Sequence, residues 1–385
     1  MTSQPKRGPR SARGFTLVEL MVAMTIGMGL IGIMLAVYLN SRTAGVRQTQ
    51  LGDLQQSVRT AFDYLVSDAR GVGHQGCFTG RTSSTLSVAG LAATLPTNYA
   101  FGVEGFDYGT SGTALTLSTY NPNNTAVNSE WSSNANGIAQ ISTTTIGGSG
   151  GITPGSDVLV LRGVVGRPLR LSAATAAATT SLPLESVTTG VTCTSGSALS
   201  GLCAGSHALI ASCSEAQFFA VESISGANVA VPAANPIIKA YSTMSEVFPV
   251  QTVVYYVKKS GSGTGTSLYR RVFDGNQGGS AGLEQELIEG VENLQVRYGV
   301  DNDPVGTIHG NVGSYKRADQ VATWSSVVAV RMSVLLRSST AVQGLDLPTA
   351  APMNGMTVTF PTDGPKYDRR VFTTTVALRN RVAYN

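Results

Sequence analysis

The feature that most constrains this chain is an apolar run from Phe15 to Leu39, whose 25 residues include a single charged one, Glu19. As a helix, such a run spans about 37 Å, enough to cross a hydrocarbon core of about 30 Å. A carboxylate deep in hydrocarbon costs about 2–4 kcal/mol, so it usually has a partner. The sequence therefore predicts a transmembrane helix over 15–39 with one acid whose position needs an explanation.

A basic leader precedes the apolar run. Residues 1–14 contain Lys6, Arg7, Arg10 and Arg13 and no acid, which is typical of a segment that stays in the cytoplasm. Without them the chain has 23 basic and 23 acidic residues, so the formal charge of +4 belongs to the leader. Because the rest is neutral and only 13% of all residues are charged, we expect no nucleic-acid partner.

Helical periodicity continues beyond the apolar run. Apolar residues recur at three- and four-residue spacings from Val46 to Val66, with Gln, Arg and Asp on the opposite face. No proline occurs before Pro96 in this region, and Gly71 and Gly73 supply stop signals. We predict one long helix over 15–72 whose second half packs on the chain's own head. Its glycines suit close packing of membrane helices, but glycine is also simply common in such helices.

The remainder, 73–385, consists of short apolar runs separated by Gly, Ser, Thr, Asn and Pro. This pattern predicts an antiparallel β-sheet head and, with the helix, an α+β chain. We expect a long mobile loop over about 121–156 and one or two helical turns in Leu283–Gly290. The predicted strands are Ala114–Tyr120, Asp157–Val165, Ala208–Cys213, Gln217–Ile224, Val250–Lys258, Leu268–Phe273, Val291–Val300, Val327–Arg337 and Arg370–Arg381.

Four cysteines, Cys77, Cys193, Cys203 and Cys213, form an even set behind an export segment, which favours two disulfides. Free buried thiols or a metal site are the alternatives, although no CxxC pair occurs. Of three possible pairings, a local Cys193–Cys203 bridge is easy because a short Ser/Gly loop separates them. Cys77 would then pair with Cys213 and contribute roughly 3–5 kcal/mol.

Motifs that could carry catalysis are weak. Two G-x-S-x-G matches, at 147–151 and 278–282, lie in glycine-rich segments rather than between a strand and a helix. Asp301 and Asp303 resemble the start of a calcium loop, but valines replace later oxygen ligands, so a polar turn is the better interpretation. The three histidines, His74, His207 and His309, share no ligand spacing. We expect no enzymatic activity, no cofactor and no metal site.

The segment Gly14-Phe15-Thr16-Leu17-Val18-Glu19 resembles the processing site of type IV pilins and pseudopilins. Three further stretches are similar to the PilW family of minor pilins: Ser67–Cys77, Gly290–Asp301 and Arg369–Arg381. The resemblance implies a pilin-like fold and cleavage between Gly14 and Phe15 by prepilin peptidase, with N-methylation of Phe15. It further implies a single-pass inner-membrane protein with a periplasmic head that later occupies the pilus tip or cell surface.

The resemblance also implies partners and a role. These are other minor pilins, the major pilin, a tip adhesin, the inner-membrane assembly platform and, before assembly, membrane lipid. The chain would prime pilus assembly. Glu19 lies one helical turn from Phe15, and in a stack of helices it can meet the Phe15 amine of a neighbour; an acid that reaches lipid headgroups is the alternative. Other functions left open are a J-type pseudopilin of type II secretion and a membrane-anchored exported adhesin or enzyme.

Overall fold

The computed structural model describes residues 14, 16–78, 86–87, 91, 95–109, 114–117, 131–133, 146, 151–185, 193, 198–199, 201–263, 265–274, 282–303, 310–342, 347–362 and 364–381. One 55-residue helix, α1, covers Leu17–Gly71. The chain divides into two compact units, Met1–Asp53 and Leu54–Asn385. The first is helical throughout its described length from Leu17, and the second contains the end of α1 and all described strands.

The helix of the first unit presents its apolar side chains to the outside. Leu17 is 75% exposed and Met28 is 73% exposed. Its most apolar stretch of 18 residues has a mean hydropathy of 2.4 and buries none of its residues. Length and composition therefore suit this helix to a membrane, and the boundaries at 15 and 39 stay a prediction.

The second unit is built from short and long β-strands. In chain order they are β1 Leu86–Ser87, β2 Val103–Tyr108, β3 Ala114–Thr116, β4 Trp131–Ser132, β5 Val158–Val164, β6 Leu169–Arg170, β7 Ser181–Pro183, β8 Ala198–Leu199, β9 Leu202–Cys203, β10 His207–Ala211, β11 Ala216–Ala220, β12 Ser223–Ser225, β13 Asn228–Ala230, β14 Glu246–Lys259, β15 Thr266–Phe273, β16 Leu283–Glu289, β17 Val291–Asp301, β18 Val312–Lys316, β19 Val327–Arg337, β20 Ala350–Met353, β21 Met356–Thr359 and β22 Arg369–Ala377.

Two sheets organise this unit. In the larger one, the 14-residue strand β14 pairs with β10 and β6 near its start and with β5 and β15 further along. The smaller sheet has the order β18-β17-β19-β22 and is antiparallel throughout. Gly290, with a φ of +88°, connects β16 of the larger sheet directly to β17 of the smaller one. Three minor sheets, β12-β13-β7, β20-β21-β3 and β8-β9, complete the described strands.

The largest core lies between these elements. Apolar side chains of β5, β14, β15, β17 and β19 form one buried cluster with the end of α1. The helix contributes a stripe at three- and four-residue spacing: Leu54, Val58, Ala61, Leu65 and Ala69, all 8% exposed or less. The amphipathic part of the helix therefore packs on the head, as predicted, but only from Leu54 onward, since Val46 is 51% exposed.

The predicted α+β fold is confirmed, and several strands begin and end within a few residues of their predicted bounds. Val327–Arg337 is reproduced at both ends. The helical turns predicted for Leu283–Gly290 are wrong, because this segment is strand β16, paired with β15 along its length. The predicted strand Gln217–Ile224 is two strands, β11 and β12, which belong to different sheets.

The loop predicted over about 121–156 falls mostly outside the described residues, and its mobility stays a prediction. The described parts of it are packed. Trp131 is 1% exposed and donates its indole N–H to the Ser156 carbonyl at 2.9 Å, and Ile146 is fully buried. At these points the Ser/Thr/Gly-rich segment therefore contributes apolar side chains to the head.

Candidate assembly segment and the docked half of the helix

The start of α1 is held by a capping box made by Thr16 and Glu19. The Thr16 backbone N–H and hydroxyl each donate to Glu19 Oε2 at 2.9 Å, and the Glu19 N–H donates to Thr16 Oγ1 at 3.3 Å. This reciprocal arrangement satisfies backbone donors that a helix leaves unpaired at its N-terminus. The Leu20 N–H then donates to the Thr16 carbonyl at 3.2 Å, so helical hydrogen bonding begins at the same residue.

The capping box uses only one of the two carboxylate oxygens of Glu19. Among the described residues, Oε1 of Glu19 accepts no hydrogen bond and no cation contacts the carboxylate. Gly14 is exposed, and Phe15 lies outside the described residues. The predicted processing and register residues thus lie at the start of the helix. There, one carboxylate oxygen of Glu19 is bonded to the cap and the other is available.

The C-terminal part of α1, Leu54–Gly71, is called the docked half below because its apolar stripe is buried on the head. Near its end Asp68 accepts two hydrogen bonds from Arg270 of β15, at 2.8 Å from Nε and 2.9 Å from Nη2. The Tyr255 hydroxyl of β14 donates to the same carboxylate. Both charged side chains are at most 15% exposed.

The electrostatics of this pair are self-consistent. Burial alone would lower the pKa of Arg270, but the hydrogen bonds and charge of Asp68 raise it. Burial also raises the pKa of Tyr255, and the Asp68 carboxylate raises it further. The arginine is therefore charged and the phenol neutral, as their roles as donors to a carboxylate require.

The C-terminal end of α1 is fixed by close backbone contacts. Asn380 donates its side-chain amide to the Arg70 carbonyl at 2.7 Å, which satisfies one of the carbonyls that a helix end leaves unpaired. Val72 forms a β-bridge with Gly163 of β5. A Cβ atom at Gly163 would lie 2.5 Å from the Gly71 carbonyl oxygen, so only glycine permits this approach.

Two disulfides are present, with the pairing that the loop lengths favour. Cys77, six residues beyond the end of α1, is bonded to Cys213, 136 residues away. Cys193 is bonded to Cys203 across a separation of 10 residues. The first bridge ties the segment after the helix to the turn between β10 and β11, whereas the second closes a local loop.

A second group of charged side chains lies inside the head, around Asp107 of β2. Its Oδ2 accepts hydrogen bonds from Arg317 Nε at 2.9 Å and the Ala318 N–H at 3.0 Å, and its Oδ1 lies 4.0 Å from Arg297 Nη1. Burial raises the pKa of Asp107 to about 6, although Arg297 and Arg317 oppose the rise. Burial raises the pKa of the neighbouring Asp157 well above its usual range, and the charge of Asp107 adds to this.

These side chains line a cavity of about 130 Å³. Several hydrogen bonds of the group also hold β2 and β17 against the segment that precedes β5. Asp157, for example, accepts the Val296 N–H at 2.9 Å and the Tyr108 N–H at 3.3 Å. The group is therefore a polar cross-link between strands.

The other residues singled out from the sequence do not come together. Asp301 caps its own turn by accepting the N–H groups of Asp303 and Gly310 at 2.9 and 2.8 Å. His74 stacks edge-on against Phe248, His207 packs near Tyr99, and His309 lies outside the described residues. Most of both G-x-S-x-G segments also lies outside them. Over the described part of the chain, no three His, Cys, Asp or Glu side chains form a metal-binding group.

Comparison with family models gives two matches. The model described as Type IV Pilus-assembly protein W matches residues 254–380, which include β15 to β22 and therefore the Arg270 partner of Asp68. The model of the prokaryotic N-terminal methylation motif matches residues 9–37, which include the capping box. The two matches together support a type IV pilus-related pilin that carries a PilW domain over 254–380. The family predicted from the sequence motifs is confirmed, and it points to a structural assembly protein. No curated protein matches the chain.

Two features of these sites were missed from sequence. Thr16 has a readable signal, because T-x-x-E before an apolar run is the pattern of a capping box. The Asp68–Arg270 pair has none, since 202 residues separate its members. Only the topology brings β15 beside the last turn of the helix.

Proposed function

We propose that this protein is a minor pilin that takes part in type IV pilus biogenesis, primes assembly and occupies the pilus tip or a position near it. The observation that carries the proposal is the joint occurrence of the methylation motif over 9–37 and the PilW domain over 254–380 in one chain. Its partners would be the prepilin peptidase, other minor pilins, the major pilin, a tip adhesin and the assembly platform of the inner membrane. Before assembly, α1 would anchor the chain in the inner membrane with its head in the periplasm.

Processing comes first in this function. Prepilin peptidase would cut between Gly14 and Phe15, and the new amino group of Phe15 would be methylated. Mass spectrometry of the protein isolated from pili tests this step directly: we expect a chain of about 371 residues that begins at methylated Phe15. An intact leader on protein recovered from the membrane would instead favour an anchored exported protein.

Glu19 would set the register between subunits. Its Oε2 is used by the Thr16 cap, and its Oε1 accepts no hydrogen bond from the described residues. In a stack of such helices, the charged amine of a neighbour's Phe15 would supply the missing donor. A charge-assisted hydrogen bond of this kind is strongest where water is excluded, which is the condition inside a fibre core.

Two substitutions separate this role from capping. Glu19→Gln keeps an oxygen that can cap the helix but removes the charge, whereas Glu19→Ala removes both. We expect both variants to be processed and stable, and both to support far fewer pili than the unmodified protein in a deletion strain. Normal piliation with Glu19→Gln would show that capping is the only task of Glu19 and would overturn the register role.

A type II secretion pseudopilus is the second candidate assembly, because the same helix start serves both fibres. Deleting the chain's gene distinguishes them. We expect loss of surface pili and twitching with normal secretion of exoproteins. The reverse result would assign the chain to the pseudopilus.

A further inference from the structure

One edge of the smaller sheet differs from every other sheet edge in the described structure. Strand β22, Arg369–Ala377, is nine residues long and pairs with β19 in a single uninterrupted register. Its other side is paired with no described strand. Proteins usually protect such edges with short strands, charges, proline or bulges, because a free edge recruits strands of other chains.

The remaining edges carry these protections. Strands β1 and β4 have only two residues each. Strand β18 has five residues, a register shift against β17 and Lys316 at its end. Strand β16 carries Glu284, Glu286 and Glu289 and faces a register shift in β15. By contrast, no charged residue, proline or glycine occurs from Val371 to Leu378, and the segment is rich in β-branched residues.

The register shows which backbone groups of β22 are free. Backbone hydrogen bonds at its two ends run from the Ser338 N–H to the Asp368 carbonyl and from the Leu378 N–H to the Val328 carbonyl. In an antiparallel ladder, hydrogen-bonded pairs alternate with non-hydrogen-bonded pairs. The even-numbered residues between Asp368 and Leu378 are therefore the ones whose backbone groups bond to β19. The backbone N–H and C=O groups of Val371, Thr373, Thr375 and Ala377 therefore point to the open side.

Charge at one end of this stretch narrows the choice of partner. Arg370, at its start, is half exposed, but Asp368 compensates its charge through an ion pair of 3.3 Å. The exposed Arg379, just after its end, has no acidic partner among the described residues. A parallel β22 of a second copy would bring the two Arg379 side chains together, which is unfavourable, whereas a strand with an acidic residue at that end would be attracted.

We propose that β22 accepts an extended strand from a different subunit of the same fibre, an uncharged segment with an acidic residue at the end that meets Arg379, which adds to the sheet through main-chain hydrogen bonds. This rests on the proposed function only in that the partner is a fibre subunit. The four outward-facing residues offer eight main-chain groups to the partner, one N–H and one C=O each, over about 20 Å of strand. The sheet of the head would then continue from one subunit into the next.

Photo-crosslinking in pilus-producing cells tests the proposal. A benzophenone amino acid replaces Thr373, which is exposed on the open edge. In a matched control it replaces Thr357, which is exposed on β21, a strand paired on both sides. We expect an adduct only from position 373, to an extended segment of another fibre subunit that carries an acidic residue at the end near Arg379. An adduct to a second copy of this chain, no adduct in fibres that contain the protein, or equal yields from both positions would overturn it.

Proline substitutions supply the second measurement. Thr375→Pro removes an N–H that points to the open side, a position where edge strands tolerate proline, whereas Thr374→Pro removes a bond to β19. We expect Thr375→Pro to leave the melting temperature unchanged but to lower the adduct yield about tenfold. Thr374→Pro should destabilise the head. An unchanged yield in Thr375→Pro would contradict the proposal. If the proposed function were wrong, the protein would be missing from purified fibres. That outcome is distinguishable from failure of the β22 proposal, in which the protein is present in fibres but gives no adduct.

Discussion

Two acids on α1 solve opposite problems. Glu19 lies in the first turn, where the helix dipole favours a negative charge, and Asp68 lies in the last turn, where the dipole opposes one. Asp68 is matched by a bidentate arginine and a tyrosine hydroxyl from the head. Glu19 has only its Thr16 cap within the described residues. An acid that the chain itself compensates is structural, whereas one left with an available oxygen suits a contact with another chain.

The apolar side chains of the two halves repeat this difference. Those of the first unit are exposed from Leu17 to Leu39, many by more than half of their surface. The apolar stripe of the docked half lies in the main core, where Leu65 and Ala69 have no exposed surface. Burial of apolar surface is worth about 25 cal/mol per Å², so the first half has a large driving force that only a membrane or other helices can satisfy.

The largest effect on stability is expected from loss of the Cys77–Cys213 bridge, which holds the segment that follows the docked half. On the chain-entropy model, a bridge across 136 residues contributes about 5 kcal/mol and one across 10 residues about 3 kcal/mol. The double substitution Cys77→Ser/Cys213→Ser should therefore lower the free energy of unfolding of the head more than Cys193→Ser/Cys203→Ser does. Urea unfolding of the two variants makes the comparison. An equal or larger loss in the second variant would show that the long bridge does not stabilise the head.

Asp68→Ala should destabilise the head by about 3 kcal/mol, because it leaves the Arg270 guanidinium buried without its carboxylate. The matched control is Asp63→Ala, one turn earlier on the exposed face of the helix, which should change stability by at most about 0.5 kcal/mol. Equilibrium unfolding measures both. If the two variants were equally stable, Asp68 would not be a structural acid and its contrast with Glu19 would fail.

Much of this division was predictable from sequence. The membrane-length run and the helical spacing of apolar residues from Val46 to Val66 are periodic patterns, and the structure buries the spaced residues from Leu54 onward, whereas Val46 is 51% exposed. The bounds of β19 also match the prediction, but nearly all of its side chains are buried. The disulfide pairing followed from loop lengths. The candidate site at the helix start was readable because all of its residues lie within six positions of one another.

What could not be predicted depends on contacts between distant segments. Leu283–Gly290 has a sequence compatible with a helix, and pairing with β15 makes it a strand. The Asp107 group joins β2 to β17 and to Arg317, which is 210 residues from Asp107 in sequence. The free edge at β22 exists only because of the strand order. Local patterns specify elements, whereas partners and edges are set by the topology.

Asp107 provides a pH test of a third kind of acid, one that is buried and only partly compensated. Its pKa of about 6 in the folded head exceeds the value of about 3.9 expected for the unfolded chain. The folded state therefore binds more protons between these values, and stability falls as the pH rises from about 4 to about 6, by up to about 3 kcal/mol. The fall should be smaller in Asp107→Asn. An unchanged pH slope in that variant would assign the dependence to another group.

The smallest effect on stability is expected for Thr16→Ala, which also tests the role of Glu19. Thr16→Ala removes the hydroxyl that accepts the Glu19 N–H and donates to its carboxylate, at a cost of about 1 kcal/mol in the first turn of the helix. Faster amide hydrogen exchange at residues 17–20 in detergent micelles would report this loss, and Thr16→Ser should prevent it. Thr16→Ala should also reduce piliation, because the cap orients the carboxylate. The reduction should be smaller than in Glu19→Gln, which removes the charge itself. Equal reductions would mean that orientation of Glu19, rather than its charge, limits assembly.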